Sequence, residues 1–165
     1  MDLKQAFAQL DYLAYELSLL VNRKWWRWIT CWFGSSAGVI LSYRLDRFFY
    51  LLFGNSWAVL RIFFYPLFLI IQLLSAKHEI HYKADLGKGL MILHASLGIV
   101  VNGATIAGKG LLLTGGNLIG KREVVEPGGL ILGDHVSLGA NAVVLGPIKI
   151  GNQVRIGAGA VVIHD

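Results

Sequence analysis

Large aliphatic residues recur every six positions through the last third of this chain, at Leu132, Leu138, Val144, Ile150, Ile156 and Val162. Glycine follows directly at Gly133, Gly139, Gly151 and Gly157. A second set stands four places into each hexad: Val136, Ala142, Ile148, Val154 and Ala160. A period of six is neither the 3.6 of an amphipathic helix nor the alternation of a half-buried strand. Hexapeptide repeats of this kind make a parallel β-helix, one short strand and one corner per hexad. The aliphatic residue points into the coil, and the glycine lets the backbone turn without a Cβ clash. A single coil cannot bury its own face, so coils stack and neighbours supply the stability. An ordinary β-sandwich would keep the spacing only by coincidence.

The same frame extends upstream with two interruptions. Leu86 and Ile92 start hexads, and the frame then slips by three around ASLG at 95–98. It resumes at Val101, Ala107, Leu113 and Ile119, with Thr105, Leu111 and Asn117 at the four-on positions. It slips again across GKREVVEPGG at 120–129. Insertions in a solenoid become loops, often on the binding face. The first carries His94; the second carries Lys121, Arg122, Glu123 and Glu126.

Residues 1–78 read differently, as a hydrophobic, basic, helical region ahead of a β-helix domain at 79–165. Leu3, Phe7, Leu10, Leu13, Leu17 and Leu20 are spaced for one face of a helix over 3–21. Trp25, Trp26, Trp28 and Trp32, interleaved with Arg23, Lys24 and Arg27, have the composition of an interfacial belt. A helix is expected over about 37–53. The stretch 57–76 is nearly all apolar, but Arg61 and Gln72 interrupt it and Pro66 is expected to kink it. Its uninterrupted part is shorter than a span, which favours a helix lying in the bilayer interface; a buried oligomer-core helix is the alternative. The charge agrees: residues 1–83 hold nine Lys/Arg against five Asp/Glu, and 84–165 hold six against five. A basic excess among aromatic and aliphatic bulk suits an anionic membrane surface rather than nucleic acid. Cys31 is the only cysteine, which excludes an intrachain disulfide and points to a reducing compartment. No basic stretch followed by an apolar core opens the chain, so no cleavable leader is expected.

For chemistry, His94 stands between apolar residues at the edge of a frame slip, where a histidine could serve as a general base near neutral pH; a structural role is the alternative. His78, His81, His135 and His164 have weaker settings. No spacing suggests a metal site, and the many glycines follow the six-residue corners rather than a phosphate-binding loop.

The segment EIHYKADLGKGLMILHASLGIVVNGATI resembles the joint between helices and β-helix in serine acetyltransferases and related polysaccharide O-acetyltransferases. SYRLDRFFYLLF and the hydrophobic helix after it resemble the colanic-acid-type acetyltransferases, and LGANAVVLG and IGAGAVVI resemble the last coils of that superfamily. The resemblance, over roughly 36–163, implies an α+β fold: N-terminal helices followed by a left-handed parallel β-helix, assembled as a homotrimer with sites between neighbouring β-helices. It implies that His94 removes the proton from an acceptor hydroxyl and that Glu79 orients and stabilises the imidazole. It implies that Ala140 and Ala158 lie along the pantetheine arm of acetyl-CoA, the co-substrate. Thr114 and Asn117 are further candidates for lining the acceptor site.

Departures from the serine acetyltransferase pattern bear on the acceptor. Leu93 stands where an aspartate would help hold a serine ammonium, and EPGGLI stands where an Arg-His pair is expected. An amino-acid acceptor needs both charges paired. An uncharged hydroxyl is therefore favoured, and with the hydrophobic N-terminal half the expected acceptor is a lipid-linked saccharide at the cytoplasmic face of the inner membrane. The sequence stops at Asp165, where such relatives continue with a Val-Pro turn and a segment that helps close the CoA site. The rival expectations are a soluble serine O-acetyltransferase and a non-catalytic, membrane-associated trimeric scaffold.

Overall fold

The computed structural model describes residues 3–21, 35–74, 78–122 and 129–165. The tryptophan-rich stretch with Trp25, Trp26, Trp28, Trp32 and Cys31, and Glu123 and Glu126 of the second interruption, lie outside the described residues. Three helices come first: α1 (Leu3–Val21), α2 (Ser35–Phe53) and α3 (Trp57–Leu74), with a 3₁₀ turn at Gly54–Ser56 between the last two. Pro66 does not end α3, which continues through it.

From His78 onward the described chain is a solenoid. The first sheet stacks β1 (His78–Ile80), β4 (Ile99–Val101), β7 (Asn117–Lys121), β10 (Val143–Gly146) and β13 (Val161–Val162). The second stacks β2 (Asp85–Leu86), β5 (Thr105–Ala107), β8 (Leu130–Leu132) and β11 (Ile148–Ile150). The third stacks β3 (Met91–Ile92), β6 (Leu112–Leu113), β9 (Ser137–Leu138) and β12 (Arg155–Ile156). Every pairing is parallel, so the chain visits the three sheets in turn and climbs one coil per circuit. The result is the triangular parallel β-helix that the hexads imply, left-handed as the resemblance leads one to expect.

The register accounts for the frame slips. Along the first sheet the step is 21 residues from His78 to Ile99, 18 from Ile99 to Asn117, 25 from Leu118 to Val143 and 18 from Val143 to Val161. Eighteen is three hexads. The surplus of three in the first coil is absorbed by a 3₁₀ turn at Ala95–Leu97, directly after His94. The surplus of seven falls on the stretch that includes residues 123–128.

Leu86, Ile92, Val101, Ala107, Leu113, Ile119, Leu132, Leu138, Val144, Ile150 and Ile156 are all buried in one core. The glycines that follow them serve a different purpose from the one expected. A Cβ on Gly87 would stand 2.7 Å from the Gly108 carbonyl carbon of the next coil, and one on Gly139 would stand 2.5 Å from the Ala158 nitrogen. Neither residue has a left-handed φ. Glycine is needed there because successive coils touch backbone to backbone, not because the chain turns sharply.

The helices dock on the first coil through buried polar groups. Arg44 of α2, fully buried, donates through Nε to Glu16 Oε2 (2.9 Å), through Nη1 to Gln9 Oε1 (2.8 Å) and the Leu86 carbonyl (2.8 Å), and through Nη2 to the Gly87 carbonyl (2.8 Å). Glu16 Oε1 in turn accepts from the Gly89 and Leu90 amides at 3.0 and 2.9 Å. Tyr43 Oη donates to the Ala84 carbonyl and accepts from the Leu86 amide. The buried face of α1 is only partly the one its leucines suggest: Leu17 is buried and Leu13 and Leu20 pack against the core, but Leu3, Phe7 and Leu10 are exposed while Ala6, Gln9, Glu16 and Val21 are buried. Gln9 and Glu16 go inward because Arg44 needs a counter-charge there.

By length and composition alone, a stretch within Ser36–Pro66 would suffice to cross a membrane. In the fold it breaks at the 3₁₀ turn, and its first half buries Arg44, Asp46 and Arg47. Helix α3 leaves Val59, Ile62, Phe63, Tyr65 and Ile70 exposed, and apolar residues of α1 and of the solenoid are exposed as well.

Candidate active site

Four corners stack where the third sheet passes into the first. The lowest carries His94, which follows β3 and precedes the 3₁₀ turn. The next is Thr114-Gly115-Gly116, then Gly139-Ala140-Asn141, then Gly157-Ala158-Gly159. Backbone hydrogen bonds tie them into a column. His94 N donates to the Thr114 carbonyl (2.8 Å), Asn141 N to the Gly115 carbonyl (2.9 Å) and Gly159 N to the Ala140 carbonyl (2.8 Å). Coils in such a sheet are spaced by about 4.8 Å, so Ala140 lies roughly 10 Å and Ala158 roughly 14 Å above His94 along one edge. His94 and Ala158 are exposed, and Ala140 and Thr114 are half-buried.

The column is built without room to spare. A Cβ on Gly115 would collide with the His94 carbonyl oxygen, and Gly115 has φ +136°. Gly115 is thus the residue that lets His94 sit at this level. Asn117, a candidate for lining the acceptor site, holds its side chain among the stacked corners and borders a cavity that Leu97 and Gly98 also line. It is 1% exposed, its Oδ1 accepts from Gly115 N at 2.9 Å, and its Nδ2 donates to the Gly139 carbonyl at 2.7 Å. It fastens the corner that carries Ala140 to the corner above His94. Thr114 contributes its carbonyl to hold the His94 backbone.

Glu79 lies mid-strand in β1, exposed on the outer face of the first sheet, in register with Val100. It lines a cavity of about 540 Å³ that also meets Leu97 and Gly98, the end of the turn that begins after His94. Among the described residues no hydrogen bond or ion pair joins Glu79 to His94 within the single subunit.

On the other side of Glu79 a second cavity, about 350 Å³, is lined by His81, Asn102, Gly103 and Lys121. His81 Nδ1 accepts from the Lys83 amide at 3.1 Å, and its ring stacks on Tyr82. Burial holds the His81 pKa below the ordinary histidine range; the positive charges of Lys83 and Arg61 add to this and Glu79 opposes it. His81 is therefore a neutral, structurally engaged imidazole. Among the described residues no group of three His, Cys, Asp or Glu side chains is arranged to hold a metal ion.

Residues 129–164 match the bacterial transferase hexapeptide family (six repeats). The solenoid is a hexapeptide-repeat β-helix. Solved serine acetyltransferases are similar to it in fold. The enzyme from Neisseria gonorrhoeae superposes with a TM-score of 0.73 at 25% identity, over 98% of this chain and 62% of that one. Its complex with serine gives 0.73 at 26%, over 98% and 66%. The soybean apoenzyme gives 0.57 at 27%, over 77% and 52%. The likeness thus includes the helical region, and this chain spans less than two-thirds of the length of those proteins. No curated protein sequence matches the chain.

The edge suits a linear ligand. Small side chains at Ala140 and Ala158 leave the backbone of this edge open to solvent above His94.

Proposed function

We propose that this protein transfers an acetyl group from acetyl-CoA to a hydroxyl, and that the acceptor is an uncharged one of the saccharide type, met at the cytoplasmic face of a membrane. The observation that carries the reading is the single edge on which His94, Ala140 and Ala158 stack in register. Ala140 and Ala158 would hold the co-substrate, which supplies the acetyl group as an activated thioester. His94 takes the acceptor's proton as its oxygen bonds to the acetyl carbon; the carbon–sulfur bond breaks, and the departing sulfur receives that proton back from His94. Glu79 acts as a positioning residue, offering a carboxylate to the imidazolium once the acceptor has brought the two together. No acyl-enzyme is needed. A homotrimer, as the resemblance implies, would set a neighbouring subunit against this edge.

The acceptor class rests on what flanks His94. Leu93, 47% exposed beside it, offers no carboxylate for an ammonium group. The membrane face rests on the exposed apolar residues of α3 and the basic excess of the N-terminal half. A serine acceptor is the second reading, favoured by the likeness to the serine-bound Neisseria structure. Thiol release from acetyl-CoA, followed with a saccharide and with serine, separates the two: serine-dependent release without saccharide-dependent release overturns the saccharide reading. No release with any acceptor, together with no rise in melting temperature in acetyl-CoA, would leave the scaffold reading.

A further inference from the structure

Helix α3 carries one charged residue, Arg61, and turns it inward. Arg61 pairs with Asp46 at 2.9 Å and lies over the rings of Phe68 and Tyr82. The rest of the helix surface meets solvent with Val59, Ile62, Phe63, Tyr65 and Ile70, each more than half exposed. Where this uncharged face ends, Leu69 forms one wall of the 540 Å³ cavity, with Glu79, Leu97, Val100 and Leu118 across from it. Leu97 is 56% exposed and sits three residues after His94.

The cavity falls within the range of small-molecule sites, about 300–1,000 Å³, and has their usual character, apolar walls with few polar groups. Its described lining includes two titratable side chains, His78 and Glu79, and no lysine or arginine. It therefore offers an amino acid's carboxylate no counter-charge, and a hydrocarbon group a fitting surface. Its two ends are also informative. One opens at the turn that carries the proposed base; the other runs onto the charge-free face of α3.

Resting on the acetyl-transfer reading, we infer that this cavity is the subsite for the apolar part of the acceptor. The acceptor is then amphipathic: a hydrocarbon chain lying between α3 and the first sheet, joined to an uncharged, hydroxylated head held at the His94 edge. Helix α3 hands the chain from the lipid surface to the cavity.

The test is binding of dodecyl maltoside, kept below its critical micelle concentration, to the full chain, measured by calorimetry beside maltose. Dodecyl maltoside is expected to bind and maltose is not. Leu97→Asp should weaken binding at least about tenfold, whereas Ile106→Asp, exposed on the second sheet, should leave it within about twofold of wild type. Equal binding of maltose, unchanged binding in Leu97→Asp, or no binding of dodecyl maltoside overturns the inference. A neighbouring subunit that already fills the cavity would show as no binding by the wild type and a smaller particle mass for Leu97→Asp, which also overturns it. The measurement needs neither acetyl-CoA nor turnover. Failure to release CoA with any acceptor would defeat the transfer reading and leave the cavity to be judged by binding alone.

Discussion

Replacing Arg44 with methionine removes the buried cation between α1, α2 and the first coil. Met keeps much of the volume, so the effect is mainly electrostatic. The Glu16 carboxylate, 0% exposed, would keep its bonds from the Gly89 and Leu90 amides and lose its counter-charge. The Leu86 and Gly87 carbonyls and the Gln9 side chain would also lose a donor. Breaking one side of a buried ion pair costs about 3–5 kcal/mol. For a chain of this size each kcal/mol moves the melting temperature by about 2–4 °C, so a fall of roughly 6–20 °C is expected. Circular dichroism melts read it directly. The double variant Arg44→Met with Glu16→Leu should be less destabilised than the sum of the two single changes, because it leaves no lone buried charge. A loss under about 1 kcal/mol for Arg44→Met, or strict additivity in the double variant, would refute the assigned role.

Further predictions concern the site and its surroundings. His81 has a depressed pKa in the fold, so the native state disfavours its protonated form. Its contribution is fully present above the unfolded value near 6.5 and is lost as pH falls below that value toward the folded one. Denaturation midpoints at pH 7.5 and 5.5 should therefore differ less in His81→Asn, which can still accept from the Lys83 amide, than in wild type. Gly115→Ala should cost about 1–3 kcal/mol from backbone conformation alone and should lower turnover as well, since its Cβ meets the His94 carbonyl. Asn117→Ala leaves the Gly115 amide and the Gly139 carbonyl without partners and should destabilise by about 1–3 kcal/mol, read by chemical denaturation.

The solenoid was legible in the sequence because its rule is local. A residue that must point into a three-sided coil recurs at each side, and Leu86 through Ile156 obey that rule without regard to any partner. The three-residue slip at 95–98 likewise located the turn after His94. The docking of the helices was not legible. The leucine stripe of α1 puts Leu3, Phe7 and Leu10 on the core face, whereas the fold buries Gln9 and Glu16 because Arg44 arrives from another helix. Periodicity cannot see a counter-charge 28 positions away in sequence. The bonds that Asn117 makes to backbone groups of neighbouring corners were likewise invisible in the sequence, because they join coils 22 positions apart. The cavity under Leu69 needed the fold as well, since it joins one helix to outward residues of three different coils.

The central claim is that His94 is the base on an edge built to present acetyl-CoA. It is tested most directly by thiol release from acetyl-CoA with a saccharide acceptor, wild type against His94→Ala. The account predicts that turnover falls by about 10²–10⁴-fold, while the rise in melting temperature caused by acetyl-CoA is kept. Wild-type turnover in His94→Ala would contradict it.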